Sequence, residues 1–147
     1  MKRVLAAGLL LLTLSLSAFA QTQSSAWIRG TWEGTGYQID DNSTWTMRLT
    51  ANRKFLIEYP SLNCSGTWRL ISLNANRARF KERISTGKDA CANNGRVVIE
   101  RLSRSQIVFL YYQSGSREVS ASAVLKRKRR GSAGRANSFS GSARTFR

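Results

Sequence analysis

The sequence predicts an all-β protein, an antiparallel up-and-down meander that closes into an eight-stranded barrel with one disulfide. Three observations predict this fold. Apolar and polar residues alternate through eight short segments, as in strands with one buried and one solvated face. Turns rich in Asn, Asp, Gly and Ser separate these segments, so no connection is long enough for the crossover that parallel strands require. Both cysteines, Cys64 and Cys91, fall within this patterned region.

The eight predicted strands follow one another with no helix-length amphipathic run between them. In the second strand, for example, Trp45, Met47 and Leu49 share one face. Closure into a barrel removes the exposed sheet edges that promote aggregation. An open sandwich of seven or eight strands is the alternative. The predicted strands are 30–37, 43–50, 54–59, 66–72, 77–84, 96–102, 106–112 and 119–126.

The first 20 residues have the pattern of a secretory signal peptide. Lys2 and Arg3 precede an apolar stretch, and Ala18-Phe19-Ala20 supplies the small residues of a cleavage site before Gln21. The apolar stretch is shorter than the about 20 residues that span a bilayer, and no later segment is apolar enough, so no transmembrane segment is expected. We therefore predict a secreted or periplasmic protein with a signal peptide at 1–20 and a barrel domain at 21–128.

The positive charge of the chain is concentrated at its carboxyl end. Of 24 Lys and Arg residues against 8 Asp and Glu, eight basic and no acidic residues lie in 126–147. The composition of 129–147 is too polar to bury a core, which predicts a disordered basic tail. The basic run predicts contact with polyanions that weakens as salt rises, and a role in solubility alone is the alternative. The run consists of Lys126, Arg127, Lys128, Arg129 and Arg130.

The two cysteines predict a disulfide, because thiols of an exported protein meet an oxidising compartment. A bridge between Cys64 and Cys91 would contribute roughly 3 kcal/mol to stability by shortening the unfolded chain's free loop. A metal site or a catalytic thiol lacks partners, since the chain contains no histidine and two cysteines do not make a zinc site. We predict neither a metal nor a cofactor. The loop 87–94, tethered through Cys91, would form one lip of a binding surface if it has a functional role.

Glu82 is in phase with Phe80 and Ile84, which places a carboxylate on the face assigned to the core. A buried carboxylate is costly unless it is paired. Glu82 therefore belongs either to an ion pair with an arginine or to an interior ligand site. Large aromatic side chains on the same face either fill the barrel or line a pocket for a small apolar or ring-shaped ligand. The candidate interior contacts are Trp45, Tyr59, Trp68, Glu82, Phe109 and Tyr111.

Gly30-Thr31-Trp32 opens the first predicted strand close to the end of the leader. Here the chain resembles the calycin superfamily, the lipocalins and avidins, whose first barrel strand begins with Gly-x-Trp. The resemblance implies a lipocalin-like barrel in which Trp32 plugs the closed end beneath a basic side chain of the last strand, Lys126 or Arg127. The helix that follows the last strand in that family is replaced here by the basic tail.

The sequence favours binding over catalysis. Without histidine there is no usual base to activate a nucleophile, and the eight carboxylates form no paired motif. The leading hypothesis is an exported, non-catalytic binding module for an unknown partner, either a small apolar ligand or an exported macromolecule. The alternative is a secreted protein-interaction or inhibitor module that acts on a macromolecular partner through its outer surface and basic tail. A small hydrolase is a third, less favoured hypothesis.

Overall fold

The structure, a computed structural model, describes residues 25–129 and shows a closed barrel of eight antiparallel strands in sequence order. The predicted fold class is confirmed. The open sandwich is wrong, because the first strand pairs with the last, Gly36 opposite Ala123. The strands are β1 Gly30–Gln38, β2 Thr44–Ala51, β3 Phe55–Tyr59, β4 Cys64–Leu73, β5 Arg77–Thr86, β6 Arg96–Arg101, β7 Gln106–Tyr112 and β8 Ala121–Arg127, with 3-10 turns at Ser25–Trp27 and Pro60–Leu62.

Two predictions concern segments outside the described residues. The signal peptide at 1–20 and the tail from Arg130 onward are not covered, so both stay predictions. No helix within residues 25–129 is long and apolar enough to cross a membrane.

The barrel has two different ends. We call the end at which β1 finishes the mouth, and the end at which β1 begins the base. The mouth carries the connections 39–43, 60–63, 87–95 and 113–120. The base carries the shorter connections 52–54, 74–76 and 102–105, together with the residues that precede β1. The two longest connections, 87–95 and 113–120, therefore both lie at the mouth.

The inward faces of the strands form one continuous core, as the period-two pattern predicts. Leu70 is the exception, since alternation assigns it to the same face as Trp68 and it is 39% exposed. A register shift between Leu70 and Ser72 puts the end of β4 out of phase with the rest of the strand. Fully buried side chains of the core include Trp32, Met47, Leu49, Ile57, Phe80, Ile84, Ile99, Ile107, Phe109 and Leu125.

Trp32 and Arg127 close the base. The Arg127 guanidinium lies 4.0 Å from the centre of the fully buried Trp32 ring. Its nitrogens donate to the carbonyl oxygens of Trp27 (2.7 Å), Arg29 and Arg104 (3.0 Å). Arg127 is thus the basic side chain above the tryptophan. Lys126, the preceding residue of β8, faces outward. Four contacts from one guanidinium, three to backbone carbonyls and one to a ring, tie the residues before β1 and the connection 102–105 to the last strand.

The predicted disulfide between Cys64 and Cys91 is present, with Cα atoms 6.4 Å apart. It joins the first residue of β4 to the connection between β5 and β6, so it tethers the longest loop of the mouth. The disulfide therefore lies at the mouth of the barrel.

Candidate ligand-binding site at the mouth

A cavity of about 350 Å³ opens at the mouth of the barrel. This volume lies within the range of small-molecule sites, about 300 to 1,000 Å³. Below the cavity the interior is packed with buried side chains, and the aromatic residues of the cavity wall belong to the same core. The cavity is lined by Gln38, Asp40, Asp41, Ser43, Trp45, Tyr59, Leu62, Glu82, Ala90, Cys91, Ala92, Phe109, Tyr111 and Ala121.

Strand ends place the large aromatic side chains of the wall. Trp45 is the first inward residue of β2, Tyr59 the last of β3 and Tyr111 the last of β7. Two glycines make room for them. A Cβ atom at Gly36 would overlap the indole of Trp45, and one at Gly95 would overlap the ring of Tyr111. Glycine at these positions lets the two rings lie directly against neighbouring backbone.

Phe109 is the centre of the aromatic contacts. Its ring centre lies 5.8 Å from that of Trp45 in an edge-on arrangement, and 5.7 Å from that of Trp68 in a stacked one. Tyr111 stacks at 6.3 Å on the same ring, and Trp45 meets Tyr59 edge-on at 5.3 Å. Aromatic pairs at these separations attract one another beyond simple burial. The wall of the cavity is therefore held in place before any ligand enters.

Glu82 is the buried carboxylate of the cavity and is only 2% exposed. Its Oε1 accepts hydrogen bonds from the Tyr59 hydroxyl at 2.5 Å and from Trp68 Nε1 at 3.0 Å. Among the described residues none donates to Oε2. The arginine partner considered from the sequence is wrong, because Lys81 and Arg83 beside Glu82 point to the outer face. Neutral donors on neighbouring strands satisfy one oxygen of the carboxylate instead.

The environment of the cavity changes the pKa of three titratable side chains that line it. Burial raises the pKa of Glu82, and the hydrogen bonds from Tyr59 and Trp68 oppose that rise without cancelling it. Burial and the nearby Glu82 charge also raise the pKa of Tyr59 and Tyr111. Both tyrosines consequently keep their protons at neutral pH. The Tyr111 hydroxyl is buried and has no hydrogen-bond partner in the part of the chain that the structure describes.

Most of the candidate contacts predicted from the sequence come together here. Trp45, Tyr59, Glu82, Phe109 and Tyr111 all line the cavity. Trp68 does not line it, but reaches it through the hydrogen bond to Glu82. The loop 87–94 contributes three lining residues, Ala90, Cys91 and Ala92, and its role in binding stays a prediction.

Sequence reasoning missed the contribution of the connection between β1 and β2. The sequence predicts Asp40 and Asp41 only as residues of a turn between two strands, yet both line the cavity. Their signal in the sequence is a pair of adjacent acidic residues in a chain where basic residues outnumber acidic ones threefold. Alternation along strands carries no information about loops, so it could not place them.

The residues of the predicted anion-binding run have different environments in the structure. Arg127 is engaged at the base by backbone carbonyls, and Lys128 donates to Glu33 at 3.0 Å. Lys126 and Arg129 are exposed, and Arg130 lies outside the described residues. Among the described residues of the run, Lys126 and Arg129 are thus the two whose charges face solvent and make neither the carbonyl contacts of Arg127 nor the ion pair of Lys128.

Comparison with known proteins supports the fold. No protein-family model and no curated protein matches the chain. Among solved structures, a redesigned β-barrel matches with a TM-score of 0.52 and 16% sequence identity, covering 71% of this chain and 94% of that chain. At this identity the likeness supports the closed barrel and does not extend to function.

Proposed function

We propose that this chain is an exported, non-catalytic, lipocalin-like binding protein that holds a small ligand in the cavity at its mouth. The observation that carries the proposal is the cavity of about 350 Å³ at the mouth of an otherwise packed barrel. A core that served stability alone would be more stable if side chains filled this cavity, since protein interiors pack to the density of organic crystals. The leader sequence, the Gly30-Thr31-Trp32 start and the contact between Trp32 and Arg127 support the exported and lipocalin-like parts of the proposal.

The polar groups of the cavity fit binding better than catalysis. Glu82 is held by two donors through one oxygen, and the Tyr111 hydroxyl is buried without a partner. A bound ligand that hydrogen-bonds to these groups would satisfy them, which adds affinity because an unmade buried hydrogen bond is costly. The chain contains no histidine to act as a general base beside them.

The test is thermal melting of the purified chain against a panel of ring-containing compounds of neutral, anionic and cationic type. A compound that binds only the folded state raises the melting temperature. Ala92→Trp, at an exposed position of the cavity lining, should abolish the shift by obstructing the mouth. Ala75→Trp, in an exposed turn at the base, is the matched control and should retain it. No shift with any compound, or an equal shift in both variants, would refute cavity binding.

The outer face of the barrel supports a second candidate function. Arg69, Lys81 and Arg96 lie opposite one another across β4, β5 and β6, and Arg79 and Arg83 flank this row. Like charges placed directly opposite are destabilising, and no described acidic residue forms a salt bridge with the row. Docking of this face on an anionic macromolecule would offset the repulsion, in keeping with an interaction module that works through its outer surface.

A further inference from the structure

The charge of the cavity is opposite to the charge of the chain. Asp40, Asp41 and Glu82 belong to its lining, which includes no lysine or arginine although the chain has 24 of them. Three of only eight acidic residues therefore converge on one cavity. From this charge inversion we infer that the cavity selects a small organic cation, a ring-bearing ammonium compound. The inference rests on the proposed ligand-binding function and specifies its ligand class.

Three of the five carboxylates outside the cavity are paired with neighbouring basic residues. Glu33 is paired with Arg48 at 2.7 Å and with Lys128 at 3.0 Å, and Glu58 and Glu100 are also bonded to arginines. The cavity carboxylates make no salt bridge with any residue in 25–129. Their negative potential is thus available to a bound cation, and salt screens the buried charge of Glu82 less than the exposed charges of Asp40 and Asp41.

The aromatic wall adds a second, independent preference for positive charge. The faces of aromatic rings carry negative electrostatic potential, so a cation close to a ring face is attracted while an anion is repelled. Trp45, Tyr59, Phe109 and Tyr111 surround the same cavity that contains Glu82. An ammonium group attached to an aromatic ring would satisfy both features, with its own ring stacked among those of the wall.

The buried polar groups of the cavity can accept the hydrogen bonds that an ammonium group donates. An alkylammonium has three N–H donors and no acceptor. Glu82 Oε2 accepts from no described residue, and the buried Tyr111 hydroxyl, which has the backbone of Gly95 beside it, makes no hydrogen bond of standard geometry with a described residue. Tyr111 is only 6% exposed, so its unpartnered hydroxyl is a second observation that points to a ligand, besides the acidic residues.

The test compares three compounds that share a phenylethyl group and differ in charge. These are 2-phenylethylamine, 2-phenylethanol and 3-phenylpropanoate, titrated into the full chain at pH 7.5 by calorimetry. We expect the amine to bind at least about tenfold more tightly than the alcohol, and the anion to bind least. Equal or weaker binding of the amine would overturn the inference. If only neutral or anionic members of the melting panel bind, ligand binding stands and cation selection falls; if no compound binds, both fall.

Three variants locate the source of the selectivity. Glu82→Gln keeps the size of the side chain, and should lower amine affinity about tenfold while leaving alcohol affinity within about twofold. The double variant Asp40→Asn/Asp41→Asn, at exposed positions, should lower amine affinity about threefold at low salt and tests the inference even if Glu82→Gln folds poorly. Asp89→Asn is the control, since Asp89 lies on a mouth connection but not in the cavity lining. Unchanged amine affinity in both acidic-site variants would contradict the inference.

Discussion

The Tyr59 hydroxyl donates a hydrogen bond to Glu82 Oε1 inside the barrel, across 2.5 Å. Tyr59 comes from the end of β3 and Glu82 from the middle of β5, and β4 lies between them. Trp68 on β4 donates to the same oxygen at 3.0 Å. Three neighbouring strands are therefore joined through one buried carboxylate oxygen, which couples the stability of the barrel to the cavity.

Tyr59→Phe should destabilise the protein, because it removes one of the two donors to a buried carboxylate. A hydrogen bond to a charged group contributes about 1.5 to 3 kcal/mol, and we expect a loss of that order in the unfolding free energy from urea titration. Tyr112→Phe on the outer side of β7 is the control and should change stability by less than about 0.5 kcal/mol. Equal effects of the two variants would show that the bond to Glu82 is unimportant.

Stability should depend on the pH through Glu82. Its pKa in the folded state is raised above the ordinary 4.5, so the folded state binds more protons than the unfolded state between the two values. This contribution of Glu82 is favourable below pH 4.5 and is lost as the pH rises through the folded-state pKa. The unfolding free energy of Glu82→Gln relative to the native sequence should therefore increase over that window.

Urea titrations of both proteins from pH 4 to pH 8 measure this difference. Taking the difference cancels the titration of the other carboxylates, including Asp40 and Asp41 at the cavity rim, and of Tyr59 and Tyr111, which stay protonated in this range. A difference that does not change with pH would contradict the raised pKa of Glu82.

Arg127→Ala should destabilise the base. It removes hydrogen bonds to the carbonyl oxygens of Trp27, Arg29 and Arg104, together with the cation–π contact on Trp32. Such losses at a partly buried site amount to roughly 3 kcal/mol, measurable by thermal or urea unfolding. Lys126→Ala on the same strand is exposed and should cost less than about 0.5 kcal/mol. A similar cost for both would mean that the base is not closed by Arg127.

The outer basic row predicts binding to a sulfated polysaccharide. The triple variant Arg69→Ser/Lys81→Ser/Arg96→Ser should leave heparin resin at lower salt than Arg53→Ser/Lys54→Ser/Arg104→Ser, which removes the same charge from turns at the base. Equal elution would show that only net charge matters. A chain ended at Arg129 tests the tail separately, and a shorter one should be avoided because Arg127 closes the base.

Several features of the fold were predictable from local pattern alone. Alternation placed Trp45, Glu82 and Tyr111 on the inward face, and the structure confirms this for each. The pattern worked because side-chain direction on a strand is a property of neighbouring residues. It failed at Leu70, where a register shift between strands changes the phase and leaves no mark in the sequence of β4 itself.

By itself, then, the sequence determined the all-β class, the disulfide and the inward position of the Glu82 carboxylate, since these follow from the period of the strands and the number of cysteines. Only the tertiary structure decided that the sheet closes into a barrel, that Arg127 and not Lys126 covers Trp32, and that a cavity at the mouth brings Asp40 and Asp41 together with Glu82. The reason is physical. Barrel closure and the course of the loops bring together residues far apart in the chain, and local periodicity carries no information about distances between them.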